Sequence, residues 1–143
     1  MMESRQDLKL TQFLPWQDWT AMSMNLRIEI FPKDLDSFFD FYTNVLRFSV
    51  DRDERDFLTP YVSVHRDAVR IGAVPSWVQA SSDHRIPPTG IEIVLEVDDL
   101  DTERDAIVSL GWPLETDIEV RPWGLRDFRI RDPDGYYLRF TTS

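Results

Sequence analysis

The chain contains no cysteine, which excludes disulfides, thiolate nucleophiles and Cys-ligated zinc. It has only two histidines, His65 and His84, so little imidazole is available for a triad or a transition-metal site. Basic residues are in deficit. There are 16 Lys and Arg against 26 Asp and Glu, a formal net charge of −10, and 14 of the 16 are Arg. Such a surface repels phosphate backbones and anionic bilayers and attracts cations, so neither nucleic acid nor membrane is expected as a partner. Five glycines form no glycine-rich phosphate loop. No apolar run approaches the ~20 residues that span a bilayer. The N-terminus lacks the basic-then-apolar order of a signal peptide, so a cytoplasmic protein is expected. What remains is ample for a packed interior: 143 residues, 42% hydrophobic and 13% aromatic, the size of one domain or of two small modules sharing a core.

Residues 1–24 stand apart. Leu8, Leu10, Phe13, Leu14, Trp16 and Trp19 follow no clean period. They read either as an arm packed on the domain or a partner chain, or as a leader, with Met22 and Met24 as alternative starts. From Asn25 the pattern sharpens. Leu26, Ile28 and Ile30 alternate with Arg27, Glu29 and Phe31, the period of a strand. Asp34 is placed to cap a helix whose apolar face is Phe38, Phe39, Phe41, Tyr42, Val45 and Leu46. Strands are expected near 47–53, 57–65 and 68–73. A loop over 74–89 follows, marked by Pro75, Ser81, Ser82, Asp83, Pro87 and Pro88.

The order then restarts. Ile91, Ile93, Leu95 and Val97 alternate with Glu92, Val94 and Glu96. Asp99 caps a second helix that Gly111 ends, and strands are expected near 113–120, 125–132 and 136–142. Asp34-Leu35-Asp36 matches Asp99-Leu100-Asp101. The chain is therefore expected to be α+β: two tandem βαβββ modules, 25–73 and 90–143, whose sheets curve around a cleft. The last hairpin turns on Asp132-Pro133-Asp134-Gly135, with Pro presetting one φ and Gly supplying a positive one.

Asp-Leu-Asp entering each helix, and Asp-Pro-Asp-Gly before the last strand, resemble the vicinal oxygen chelate superfamily. It includes glyoxalase I, fosfomycin resistance proteins, extradiol dioxygenases and bleomycin resistance proteins. The resemblance covers Asn25 to the C-terminus. In the family's metalloenzymes four His, Gln or Glu ligands project from the inner sheet faces, two per module. By distance from the motifs, those positions here are Arg27, Arg70, Glu92 and Arg139. A guanidinium stays protonated and has no lone pair to give, so the resemblance implies no metal at this site. The departure is similar to the bleomycin resistance branch, whose members bind cationic drugs in a cleft, lack the metal, and are acidic dimers. That branch also carries a Trp-Gly pair where Trp123-Gly124 stands. The implied function is metal-independent binding of a small, cationic aromatic, antibiotic-like molecule by a homodimer, with no cofactor. A lyase, isomerase or dioxygenase-related enzyme of the same fold is the alternative.

Strand parity should turn Arg27, Arg70, Glu92 and Arg139 toward the cleft. There they either anchor a ligand's polar group or form a self-satisfied Arg–Glu network. Glu29 and Glu96 share that parity, as an acid–base couple or as partners of Arg. Phe31, Phe128, Tyr137, Trp77 and Trp123 can stack on a flat or cationic ligand, Trp123 from a loop over the cleft mouth. Trp112 is expected in the core, His65 in an exposed turn, and His84 in the polar loop.

Overall fold

A computed structural model describes residues 23–76 and 85–143. Trp77, His84 and the segment read as an arm or leader lie outside the described residues, apart from Ser23 and Met24. The first module runs β1 (Ile28–Ile30), α1 (Leu35–Asp40), a π-helical turn (Phe41–Val45), β2 (Ser49–Glu54), β3 (Tyr61–Arg66) and β4 (Val69–Ala73). The second runs β5 (Ile93–Glu96), α2 (Leu100–Ser109), β6 (Thr116–Val120), β7 (Arg126–Arg131) and β8 (Tyr137–Thr141). Each forms a four-stranded mixed sheet, ordered β1-β4-β3-β2 and β5-β8-β7-β6. The first strand of each module pairs parallel with the last, because the helix carries the chain across, and the remaining strands pair antiparallel. The fold is α+β with tandem βαβββ modules, as expected.

Local chemistry accounts for the element ends. Asp34 accepts the amide of Asp36, and Asp99 the amide of Thr102, so each helix starts on a carboxylate cap. The first helix differs from the continuous α-helix expected. After Asp40 it widens into a π turn, in which the Leu46 amide reaches back to the Phe41 carbonyl. The extra residue keeps Phe41, Tyr42 and Leu46 all in the core. Gly111 takes φ +80° just past α2, where a Cβ would be strained. The strands are shorter than the alternation suggested. β2 starts at Ser49 rather than 47 and β3 at Tyr61 rather than 57, after the turn ending at Pro60.

The apolar faces of both sheets and both helices meet in one buried cluster. It includes Ile30, Phe38, Tyr42, Val62 and Ile71 from the first module, and Leu95, Ile107, Phe128, Leu138 and Phe140 from the second. Trp112 joins it as expected, its ring 4.6 Å from Phe41 and its Nε1 donating to the Arg131 carbonyl at 2.8 Å. Two polar contacts tie the modules through this interior. Glu103 of α2, almost fully buried, accepts from Arg47 at 2.9 Å and is also ion-paired with Arg66. The Tyr42 hydroxyl donates to Asp132 at 2.9 Å, anchoring the Asp-Pro-Asp-Gly turn to the first helix. Asp132 also accepts the amides of Asp134 and Tyr136. Burial pushes its carboxyl up to about 6, against the pull of those three donors.

Candidate functional site

With the apolar sides sharing one core, the opposite face of each sheet is polar, and these faces carry the candidate site. Along β7 and β8, Asp127, Arg129, Tyr137 and Arg139 alternate with the core residues Phe128, Ile130, Leu138 and Phe140. Along β1, β3 and β4, Glu29, Tyr61, Ser63, Arg70 and Gly72 alternate with Ile28, Ile30, Val62, Val64, Ile71 and Ala73.

The second module's polar face is built around Asp127, only 1% exposed. Arg121 donates from Nε to Asp127 Oδ1 at 2.8 Å. Arg129 and Arg139 bring guanidinium nitrogens to 3.6 and 3.7 Å from Oδ2, which accepts no hydrogen bond. Glu92 Oε1 lies 2.9 Å from Arg139 Nε, at an angle that leaves Nε without a hydrogen bond. Arg129 also donates to the Tyr137 hydroxyl at 3.3 Å. Trp123, exposed, rides the β6–β7 turn with its ring 5.8 Å from the Arg139 guanidinium. Gly124 there adopts φ +93°, and the Arg121 amide bonds the Leu125 carbonyl.

The first module's face is more open. Arg27 donates to Glu29 Oε1 at 2.6 Å, and the Tyr61 hydroxyl donates to the same oxygen at 3.1 Å. Burial, and then the bond to Glu29, raise the Tyr61 pKa, so the phenol keeps its proton and remains a donor. Arg70 and Arg27 line a hollow of about 390 Å³, and Phe31 lines a neighbouring one of about 450 Å³. Buried side-chain polar atoms without a hydrogen-bond partner, among the described residues, all fall on these two faces: Glu29 Oε2, Thr116 Oγ1, Arg121 Nη2, Asp127 Oδ2, Arg129 Nε and Arg139 Nε. Such atoms are rare in folded interiors, where water, an ion, a ligand or a functional role ordinarily accounts for them.

The structure thus puts Arg27, Glu29, Phe31 and Arg70 on one polar face, and Glu92, Trp123, Tyr137 and Arg139 on the other. Phe128 must be corrected. It is fully buried and stacks on Phe140 at 4.8 Å with the rings 2° from parallel. Its parity places it on the core side, opposite Arg129. His65 is not in a turn: β3 continues to Arg66, and His65 Nδ1 lies 2.5 Å from Asp51 across the strand pair. The residues missed by sequence reasoning are Tyr61, Gly72, Arg121, Asp127 and Arg129. Gly72 offered a signal, since an isolated glycine inside a strand pattern marks close approach by another group.

Strand register also realigns the repeat. Ile28 pairs with Ile71 and Ile93 with Leu138, so Gly72, not Arg70, is the first-module counterpart of Arg139, and Tyr61 is the counterpart of Asp127. Neither Arg70 nor Gly72 offers a donor atom. The described residues contain no group of three or more His, Asp or Glu placed to hold a metal ion. A donor set of guanidiniums with single carboxylates does not fit the divalent ion of the metalloenzymes.

Two four-stranded βαβββ sheets whose apolar faces share one core, each with a polar face opposite it, define a vicinal-oxygen-chelate-type protein without that donor set. The family model Glyoxalase/Bleomycin resistance protein/Dioxygenase superfamily matches residues 25–140, and the chain belongs to this superfamily. Among solved structures it is similar to a superfamily member from Sphaerobacter thermophilus DSM 20745, at 25% identity and TM-score 0.67, over 85% of this chain and 98% of that one. It shares its fold with TnmS3, an antibiotic binding protein from Streptomyces sp. CB03234 (20% identity, TM-score 0.65, 85% and 97% covered). It also shares it with a lactoylglutathione lyase from Agrobacterium tumefaciens (19%, 0.65, 86% and 96%). No curated protein sequence matches the chain. No helix among the described residues is long and apolar enough to cross a membrane.

Proposed function

We propose that this protein binds a small, partly aromatic, cationic molecule on its polar sheet faces and holds it intact, without a metal, as a cytoplasmic homodimer. The observation that carries this reading is the donor set. Where the family's metalloenzymes present lone pairs, this chain presents Arg27, Arg139 and a glycine or Arg70, and its one carboxylate there, Glu92, lies 2.9 Å from Arg139. Such a floor orients and neutralises ligands but cannot polarise a bound oxygen as a Lewis acid does. Arg27, Glu29, Arg70, Glu92, Tyr137 and Arg139 supply the polar floor, and Phe31 and Trp123 the stacking surfaces. The net charge of −10 favours a cation. The fold shared with an antibiotic binding protein agrees with capture. Leu26, Phe31, Ile91 and Val120 are more than half exposed, the kind of surface that a second copy would cover.

The test is metal analysis of the purified protein beside a thermal-shift screen of cationic aromatics. Binding to the native state raises stability by about 2.7 kcal/mol at a hundredfold excess over Kd. Stoichiometric metal, or no hit among such compounds, would count against the proposal. The second reading, a lyase or isomerase, draws on Glu29, whose unpartnered Oε2 beside the Tyr61 hydroxyl is a plausible acid–base arrangement. Chemical change in a bound compound would favour it.

A further inference from the structure

Glu29 has a setting unlike any other carboxylate among the described residues. It stands at mid-strand on the polar face of β1, with Gly72 as its neighbour across the parallel pair and Tyr61 one strand further on β3. Gly72 has no Cβ, and that space is used. A Cβ built there would lie 2.5 and 2.7 Å from the two Glu29 carboxylate oxygens and closer still to the Tyr61 hydroxyl. The carboxylate and the phenol are therefore laid down directly on the glycine. Glu29 Oε1 is occupied, accepting from Arg27 and Tyr61. Oε2 accepts nothing and is itself buried against Gly72, so a ligand's donor meets it only as the carboxylate turns toward the hollows.

Glu29 also joins two hollows. One, of about 320 Å³, lies between the modules, walled by Ile28, Ile91, Ile93 and Tyr137, and also lined by Arg85, whose guanidinium is held over the Tyr136 ring. The other, of about 450 Å³, opens past Phe31. A carboxylate oxygen lacking a donor, at the border of a mainly apolar hollow large enough for a small ring system, is suited to one chemistry. It fits a cationic nitrogen carried on an apolar body, bonded through a charge-assisted N–H···O contact.

We infer that Glu29, held by Tyr61 over Gly72, is the residue that selects for positive charge: its free oxygen receives the ligand's protonated amine while the ligand's rings fill the hollow between the modules. This rests on the proposed binding function and assigns its charge selectivity to one carboxylate. Charge is then read on the first face, since on the second Asp127 is surrounded by Arg121, Arg129 and Arg139 and Glu92 lies against Arg139.

The experiment is fluorescence titration with two probes that share a ring system, at about pH 8: 9-aminoacridine, a cation there, and acridine, which is neutral. The full-length wild-type protein should bind 9-aminoacridine about tenfold or more tighter than acridine, and lose that margin at high salt. Glu29→Gln keeps the shape, and should equalise the two probes by weakening the cation alone. Gly72→Ala displaces the carboxylate and should do the same, with a thermal melt confirming that each variant is folded. Tyr61→Phe should weaken the cation less than Glu29→Gln does. Binding of both probes with no preference in the wild type, or a preference that survives Glu29→Gln, overturns the role of Glu29 and leaves capture of aromatics standing. No binding of either probe overturns both.

Discussion

The two modules share a fold but distribute charge differently. At three corresponding positions on their polar faces, the first module carries Glu29, Gly72 and Tyr61, and the second Val94, Arg139 and Asp127. Each face has one central acid, delivered by a different strand. In the first module it is part-buried and accepts from a phenol and Arg27 on one oxygen, leaving the other without a hydrogen bond, as Asp127 also does. In the second it is 1% exposed and faces three guanidiniums that are each about one-fifth exposed or less. A buried acid encircled by cations is a structural centre, since removing it strands positive charge away from water. On the proposed function, the acid with an unpartnered oxygen beside a hollow is the one that meets a ligand. The comparison teaches that the repeat preserves the scaffold while the charge differs: the second face surrounds its acid with three guanidiniums, and the first sets its acid on a glycine beside two hollows.

The largest expected effects break the second face and its support. Asp127→Ala should destabilise the fold by about 3–5 kcal/mol in urea unfolding, because Arg121, Arg129 and Arg139 lose their shared counter-charge. A loss below about 1 kcal/mol would mean the cluster is solvated and the contrast between the faces is wrong. Phe128→Ala should cost a similar ~3–5 kcal/mol by opening a cavity beside Phe140, confirming that this ring belongs to the core and not to the site.

An intermediate effect separates the two hairpins. The β3–β4 connection turns on exposed Asp67 and Ala68, whereas the β7–β8 turn is pinned by buried Asp132. The Asp132 carboxyl is raised from 3.8 to about 6 in the folded chain, so the native state holds its proton more tightly than the unfolded one. Keeping it charged therefore costs stability above about pH 6, and that cost fades as pH falls toward about 4. Relative to Asp132→Asn, the wild type should gain on the order of 1–3 kcal/mol between about pH 7 and 4, read from paired denaturant titrations. A flat difference would show that the hydrogen bonds from Tyr42, Asp134 and Tyr136 outweigh burial. The smallest stability effect belongs to Trp123→Ala. It should change stability by less than about 0.5 kcal/mol, since the ring is 58% exposed, while weakening a charged and a neutral aromatic probe alike by several-fold through lost stacking. Unchanged affinity would remove Trp123 from the site.

The fold was legible because it is written twice. Asp34 and Asp99 cap the two helices, and strict alternation marks β1, β5, β7 and β8. Alternation says which residues share a face, and Arg27, Glu29, Arg70 and Arg139 all lie on the faces opposite the core. It does not say which face is inside when both carry aromatics, which is why Phe128 was expected beside Tyr137 although it lies on the core face. The π turn after Asp40 was invisible because the same phenylalanines suit either helix. The Asp127 cluster was hidden for another reason. Arg121 reaches it across a turn and Arg139 from the next strand, so its members are brought together by register and not by spacing. Gly72 alone was readable in principle, yet what it makes room for lies on two other strands.

The most direct test of the central claim, that these faces hold a molecule intact without a metal, is calorimetric titration of the full-length protein with 9-aminoacridine, with and without a strong chelator, followed by recovery of the probe. The account predicts saturable binding with the same affinity in both buffers and the probe recovered unchanged. Binding abolished by the chelator, or a chemically altered probe, would contradict it.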